Sequence, residues 1–154
     1  MAVMTEDRTF KSILFPTDFS VASEHAASYA TSLARCYKAT LYVLHVIDLS
    51  LEGGGMYVPH TSFDVLDKEE ASVEAKSLKK FCSSLSYPDN KIEAVICTGV
   101  PHEEILRVAG EKQVNLIVMG TTGESGVGRI VYGSTTEDVT RNTHIPVLAI
   151  PPVD

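Results

Sequence analysis

The sequence has no uninterrupted apolar run near the roughly 20 residues that a membrane-spanning helix needs, so a bilayer-embedded helical protein is not expected. It has no basic cluster either: 13 Lys and Arg are scattered among 20 Asp and Glu, for a formal charge of −7. That balance argues against a nucleic-acid surface and means that any anionic ligand must be held by local donors. Cysteine is scarce. Cys36, Cys82 and Cys97 are far apart and odd in number and form no Cys-x-x-Cys pair, which argues against a disulfide framework or a cysteine metal site and for reduced packing thiols. The first ten residues, Met1 to Phe10, carry charges and lack the apolar centre of a secretion signal. The cytoplasm is therefore the expected compartment.

What is present fits one soluble domain spanning residues 1–154, with 44% hydrophobic and 21% charged residues. Short β-branched runs alternate with longer helical patterns, the order expected of a parallel α/β sheet. Strands are expected at Lys11 to Phe15 (ended by Pro16), Thr40 to Ile47, Lys91 to Cys97, Val114 to Met119 and Pro146 to Ile150. Helices are expected from Ser20 to about Tyr37, from about Asp64 to Leu85, from Pro101, and from Ser134 to about Asn142. In the first, Ser20 is placed to cap and Ala22, Ala26, Tyr29, Ala30 and Leu33 share a face. Pro101 occupies the favoured first helical position, with Glu103 and Glu104 at the positive end of the dipole. Ser134-x-x-Glu137 reads as a capping box. Gly53, Gly54 and Gly55 fall in an aperiodic stretch that reads as a mobile loop or lid.

In open α/β sheets ligands bind beyond the carboxyl ends of the strands, where strand order reverses. Pro16-Thr17-Asp18, His45-Val46-Ile47 and Gly120-Thr121-Thr122-Gly123 follow such ends. Gly120 and Gly123 admit backbone amides to an anion, and Gly133, Ser134 and Thr135 open a helix whose free amides favour negative charge. The alternative is a long turn followed by an ordinary capped helix. Within the same loop, Gly123 to Ile130 differs from a phosphate-binding G-x-x-x-x-G-K-[ST] loop only at its last two positions. Those are the decisive ones, since Arg129 replaces the lysine and Ile130 the magnesium-binding hydroxyl. A true P-loop is rejected.

These residues resemble the universal stress protein family, in particular its ATP-binding branch. The family's G-x-x-G, nine residues, G-[ST] motif stands complete as Gly120, Gly123, Gly133 and Ser134. Ile13 to Ser20, Leu44 to Asp48, Gly99 to Ile105 and Ile117 to Gly120 match its other motifs; the departure lies mainly in Leu49 to Asp67. The resemblance implies a three-layer doubly wound sheet of five parallel strands, order 3-2-1-4-5, with helices on both faces. It implies a nucleotide at the switch between strands 1 and 4: Asp18 and the Val46 backbone on adenine and ribose, with Pro16 and Thr17 lining that pocket. Met119, Gly120 and Gly123 continue it towards the phosphates, and Gly133, Ser134 and Thr135 close round them. The implied ligand is ATP or AMP, with Mg2+ or Mn2+ where a cation accompanies it. Arg129 lies outside the motif and is a candidate phosphate partner, against the plainer alternative of solvent exposure. The family also implies a homodimer through the last strand, Pro146 to Ile150.

Other residues invite more than they support. His102 beside Glu103 and Glu104 lacks the histidine pair of a zinc protease and reads as a capped, solvated helix start. His45 reads as a hydrogen-bonded core histidine; His25, His60 and His144 have no partner visible in sequence. Asp18 as a phosphoacceptor needs further acidic metal ligands that Phe15-Pro16 does not supply. No catalytic residue and no resident metal ligand is assigned. A nucleotide-binding stress or signalling protein is the leading reading, and a slow ATPase or phosphotransferase or a non-binding dimeric scaffold are the alternatives.

Overall fold

Runs rich in Val, Ile and Leu favour the extended backbone, and their side chains divide by parity between two faces. In the computed structural model, which describes residues 6–48, 68–121 and 133–153, the strands are β1 (Ser12–Pro16), β2 (Thr40–Ile47), β3 (Ile92–Thr98), β4 (Leu116–Gly120) and β5 (Val147–Ile150). Between them run α1 (Val21–Tyr37), α2 (Lys68–Ser84), α3 (Pro101–Glu111) and α4 (Ser134–Asn142). Every strand pair is parallel and the order is β3-β2-β1-β4-β5. This is the doubly wound sheet the resemblance implied. Gly53 to Gly55, the start of the second helix as read from Asp64, and the P-loop-like run from Gly123 to Ile130, with Arg129 inside it, lie outside the described residues.

Parity separates two cores. Ile13, Phe15, Leu41, Val43 and Val118 pack with the alanines of α1 and with Leu78 and Phe81 of α2. Leu14, Leu44, Ile117 and Met119 pack with Ile105 and Val108 of α3 and Val139 of α4. Phe15, Ile13 and Leu14 are fully buried, each contributing roughly 1.5–3 kcal/mol relative to exposure.

Helix α1 starts as its sequence requires: the Ser20 hydroxyl accepts the Ser23 N–H at 3.2 Å. Its buried stripe, however, is Ser23, Ala26, Ala27, Ala30, Thr31 and Ala34. Tyr29 is not on it. It is 45% exposed and packs edge-on against His25 instead, because the small residues one position away let the helix lie close to the sheet. Strand ends shift by a residue or two. Pro16 belongs to β1, since the ladder bond there is made by the next amide, Thr17 N–H to Leu44 O at 2.8 Å. Val114 precedes β4: Gln113 turns through the left-handed region (φ 51°) and the Val114 amide bonds back to Ala109 of α3.

The turn from β3 into α3 is built on a buried charge. Glu104 is 2% exposed, and its Oε2 accepts from Arg107 Nε at 3.0 Å and Nη2 at 2.6 Å, while Arg107 Nη1 reaches Glu111 at 2.7 Å. Gly99 above it has φ +152°, and a Cβ there would lie 2.9 Å from Glu104 Cγ, so both backbone and space require glycine. Burial, and next the Glu104 carboxylate, push the neighbouring Cys97 thiol up to about 12. At about pH 8 such a thiol is almost entirely protonated. A thiol-exchange reagent at that pH should therefore modify exposed Cys36 and leave Cys97 untouched until the chain unfolds. Rapid labelling of Cys97 in the native protein, located by peptide mapping, would contradict this burial.

Candidate functional site

Connections reverse at β1, which is flanked by β2 and β4. The carboxyl ends of β1, β2 and β4 and the start of α4 therefore meet at one rim of the sheet, and their geometry is set by hydrogen bonds that the motif spacing alone does not reveal.

On the β4 side the two halves of the glycine motif are tied together. Gly133 N–H donates to Thr121 O at 2.6 Å, and the Thr136 hydroxyl donates to Gly120 O at 2.9 Å. The Thr121 amide bonds in turn to Ile150 O at 2.9 Å, fixing the same corner to β5. A Cβ on Gly133 would sit 3.3 Å from Thr121 O, so glycine permits the close approach. Gly133 is the N-cap residue, with no side-chain cap bond, and its carbonyl accepts the Glu137 amide at 3.0 Å. The capping box expected at Ser134 is therefore not formed. Ser134 is the first helical residue and is exposed, while Glu137 pairs with Arg141 at 2.6 Å. With Gly133 as cap, helix geometry leaves the Ser134, Thr135 and Thr136 amides without intrahelical acceptors, at the positive end of the helix dipole. The Thr121 hydroxyl is buried and has no hydrogen-bond partner among the described residues.

On the β1 side the exit turn is knotted by short polar side chains. Thr17 is buried; its hydroxyl oxygen accepts from Ser23 Oγ at 2.6 Å and from the Phe19 amide at 3.1 Å. Asp18 Oδ1 accepts the Ser20 amide at 3.1 Å. Phe19 has φ 62°, a left-handed conformation uncommon for a bulky residue, and its ring stacks on His45 at 4.4 Å.

The structure thus brings Pro16, Thr17 and Asp18 to the β1 end and Val46 to the β2 end. Met119 and Gly120 come to the β4 end, beside Gly133, Ser134 and Thr135. Val46 and Met119 belong to the same apolar cluster, on the α3 and α4 face. Gly123 and Arg129 lie outside the described residues. Thr121 lies in the segment expected at the rim, whereas Thr136 was not foreseen: it is a hydroxyl on the inward side of a short helix, and nothing local signals its acceptor 16 positions away. His102, expected at a solvated helix start, lies 3.6 Å from Asp138 of α4. Among the described residues no group of three His, Cys, Asp or Glu is arranged to hold a metal ion, and no helix is long and apolar enough to cross a membrane.

A doubly wound sheet with a glycine-tied helix start at its switch point defines a class of α/β proteins whose ligand crevice lies on the strand ends. Within that class, the sequence pattern of the universal stress protein family matches residues 9–151. The chain belongs to that family. It is 36% identical to universal stress protein MJ0531 of Methanocaldococcus jannaschii, over 94% of this chain and 84% of that one. Universal stress protein MJ0577 of the same organism is 30% identical, over 92% and 94%. The solved structure of MJ0577 superposes with a TM-score of 0.76 at 29% identity, covering 96% of this chain and 99% of that one. A universal stress protein in complex with cAMP shares the fold, with a TM-score of 0.62 at 20% identity over 93% and 98% of the two chains.

The Thr136 bond carries a structural consequence. Thr136→Val keeps the volume but leaves the Gly120 carbonyl without this donor, which should cost about 1–3 kcal/mol and lower the melting temperature by a few degrees. Thr136→Ser should keep most of the stability, as read by thermal unfolding followed by circular dichroism. Equal melting temperatures for the wild type and the valine variant would refute the tie.

Proposed function

We propose that the chain binds an adenine nucleotide, ATP or AMP, in the crevice between the β1 and β4 ends and acts as a nucleotide-responsive member of its family in the cytoplasm. The observation that carries the reading is the pair of bonds from Gly133 to Thr121 and from Thr136 to Gly120, which hold the two glycine segments against one helix start. Backbone amides there suit phosphate oxygens in a chain whose formal charge of −7 gives an anion no general attraction. The Thr121 hydroxyl, buried and unpartnered among the described residues, supplies a further donor beside them. In this reading Asp18, Pro16, Thr17 and the Val46 backbone take adenine and ribose. Met119, Gly120, Gly123, Gly133, Ser134 and Thr135 lead to and enclose the phosphates, Arg129 pairs with them, and Mg2+ or Mn2+ is the accompanying cation. The cAMP complex of a protein with this fold supports adenine nucleotide as the ligand class.

Nucleotide released by heat denaturation should be identified by mass spectrometry as adenine nucleotide, and calorimetry with ATP should show binding at millimolar concentrations or below. Gly133→Val places branched carbons where a single Cβ is already 3.3 Å from Thr121 O; affinity should fall at least about ten-fold, equivalent to about 1.4 kcal/mol, with the far-ultraviolet circular dichroism retained. Absence of both released nucleotide and calorimetric binding would overturn the reading.

The same proposal includes a homodimer through Pro146 to Ile150. β5 is the terminal strand of the sheet, and Val147, Leu148 and Ala149 are only partly buried, an apolar edge suited to pairing with a second copy. Val147→Lys should shift the sedimentation coefficient from that of a dimer to that of a monomer. A wild-type protein that sediments as a monomer at high micromolar concentration would rule the interface out.

A further inference from the structure

The histidine behind the β1 exit turn is held in a way that the nucleotide reading does not use. His45 points from β2 into the α1 and α2 side of the sheet, with its side chain 11% exposed. Its Nδ1 lies 2.8 Å from the Thr17 carbonyl oxygen, and its Nε2 lies 3.1 Å from Oε2 of Glu74 on α2. A carbonyl only accepts, so Nδ1 carries a proton. A neutral ring would then turn the Nε2 lone pair on a carboxylate. The contact is attractive only when one more proton lies between Nε2 and Oε2, as in an imidazolium facing an ionised Glu74.

We propose that His45 is a positioning residue: clamped as a doubly protonated ring between the Thr17 carbonyl and Glu74, it fixes the turn carrying Pro16, Thr17 and Asp18 and makes nucleotide affinity depend on its protonation. The inference rests on the nucleotide reading of the crevice. The turn needs such a clamp. Thr17 is tied to β2 through its amide, on Leu44 O, and through its carbonyl, on His45. Phe19, two residues on, keeps its left-handed backbone only under outside constraint. That constraint is its stack on the His45 ring, 4.4 Å between centroids and 28° between planes, and its contact with Phe81 at 5.8 Å.

Glu74 is the carboxylate seen at Nε2, and the ring has further neighbours. Across the ladder, β3 offers Ile96. Among the described residues, α2 brings Glu74 and Phe81, and the β1–α1 turn presents Thr17 and Phe19, with Asp18 between them accepting the Ser20 amide on Oδ1. Asp48 lies three residues further along the chain, just past the end of β2. The sign follows. With a proton between Nε2 and Oε2 the clamp is closed and affinity is highest; when base removes it, the lone pair and carboxylate repel and the turn loosens.

Calorimetry with ATP on the full chain, from about pH 5.5 to about pH 8.5, covers the interval in which histidines change charge. Wild-type affinity should fall about five-fold across it, a modest factor because Glu74 is partly exposed to solvent. In Glu74→Gln the amide can donate to a neutral Nε2, so the clamp survives without the extra proton. Its affinity should vary less than about two-fold beyond the titration of ATP itself, which is common to both proteins and cancels in their ratio. His45→Gln should bind more weakly and show the same flat ratio. Nitrogen-15 shifts of the ring in nucleotide-free protein should show both nitrogens protonated at about pH 6. Parallel affinity profiles for wild type and Glu74→Gln, or a ring protonated only at Nδ1 at that pH, would overturn the proposal. If the wild type binds no adenine nucleotide at any pH, the nucleotide reading and the affinity link fall together. The ring-nitrogen shifts then still decide whether the clamp exists.

Discussion

A parallel strand can be returned to the sheet only by a crossover of one hand, and the arrangement of the rim follows from that constraint. Moving from β1 to β2 to β3 lays α1 and α2 on one face. The chain must then pass back across β1 to place β4 on its far side, and the same handedness lays α3 and α4 on the opposite face. At β1 the outgoing connections diverge to opposite faces, so a crevice opens at its carboxyl end without any residue having been selected to make it. What lines it is glycine where backbone approaches closely, and short hydroxyl side chains where turns are held.

Those short side chains resolve an electrostatic difficulty. A chain of formal charge −7 does not draw in an anion by its overall field, yet that field is screened over about 8 Å at physiological ionic strength, whereas amide donors act at contact. Orienting the first turn of α4 is therefore more effective than adding surface lysines. The Gly133 and Thr136 bonds to the β4 end do so from both sides of the helix start, and the link from Thr121 to Ile150 makes that corner continuous with the edge strand. The start of α4 and the β5 edge are thus joined by two backbone hydrogen bonds in series.

Much of the fold was legible because it rests on local signals. Strands declared themselves as β-branched runs, Ser20 capped as its type requires, and Pro101 opened α3. The family resemblance supplied the strand order, which periodicity does not encode. Misreadings arose where two adequate local solutions competed. Tyr29 and Ala30 are one position apart, and close packing of a small-residue stripe decided for the alanine. Gly133 and Ser134 both suit a helix cap, and the bond from the Gly133 amide to Thr121 settled it. Of the candidate site, the segments that meet at the rim could be named in advance. The Thr136 hook, the buried Glu104–Arg107 pair and the contact of His45 with Glu74 could not, because each depends on a neighbour supplied by packing. Only the Glu104, Arg107, Glu111 spacing left a trace, at three and seven positions along one helix.

Where polar groups are buried says more about this protein than how many there are. The buried polar residues described are Thr17, Ser23, Thr31, Glu104, Thr121 and Thr136. Thr31 bonds within its own helix, to Ala27 O, and needs no tertiary account. The other five all stand at the carboxyl rim, on turns leaving strands or in the first turn or two of helices that follow them. Burying a hydroxyl or carboxylate costs free energy unless partners are supplied, and the apolar cores beneath the rim show that the sheet can be packed without such groups. The carboxyl rim thus carries most of this cost, with Phe19 held in a left-handed turn against a hydrogen-bonded histidine, while at the opposite end of the sheet the Tyr87 hydroxyl is buried on Ala34 O and Ala39 O. The rim is set by directional bonds among short polar side chains and backbone, while the faces of the sheet are packed by apolar side chains.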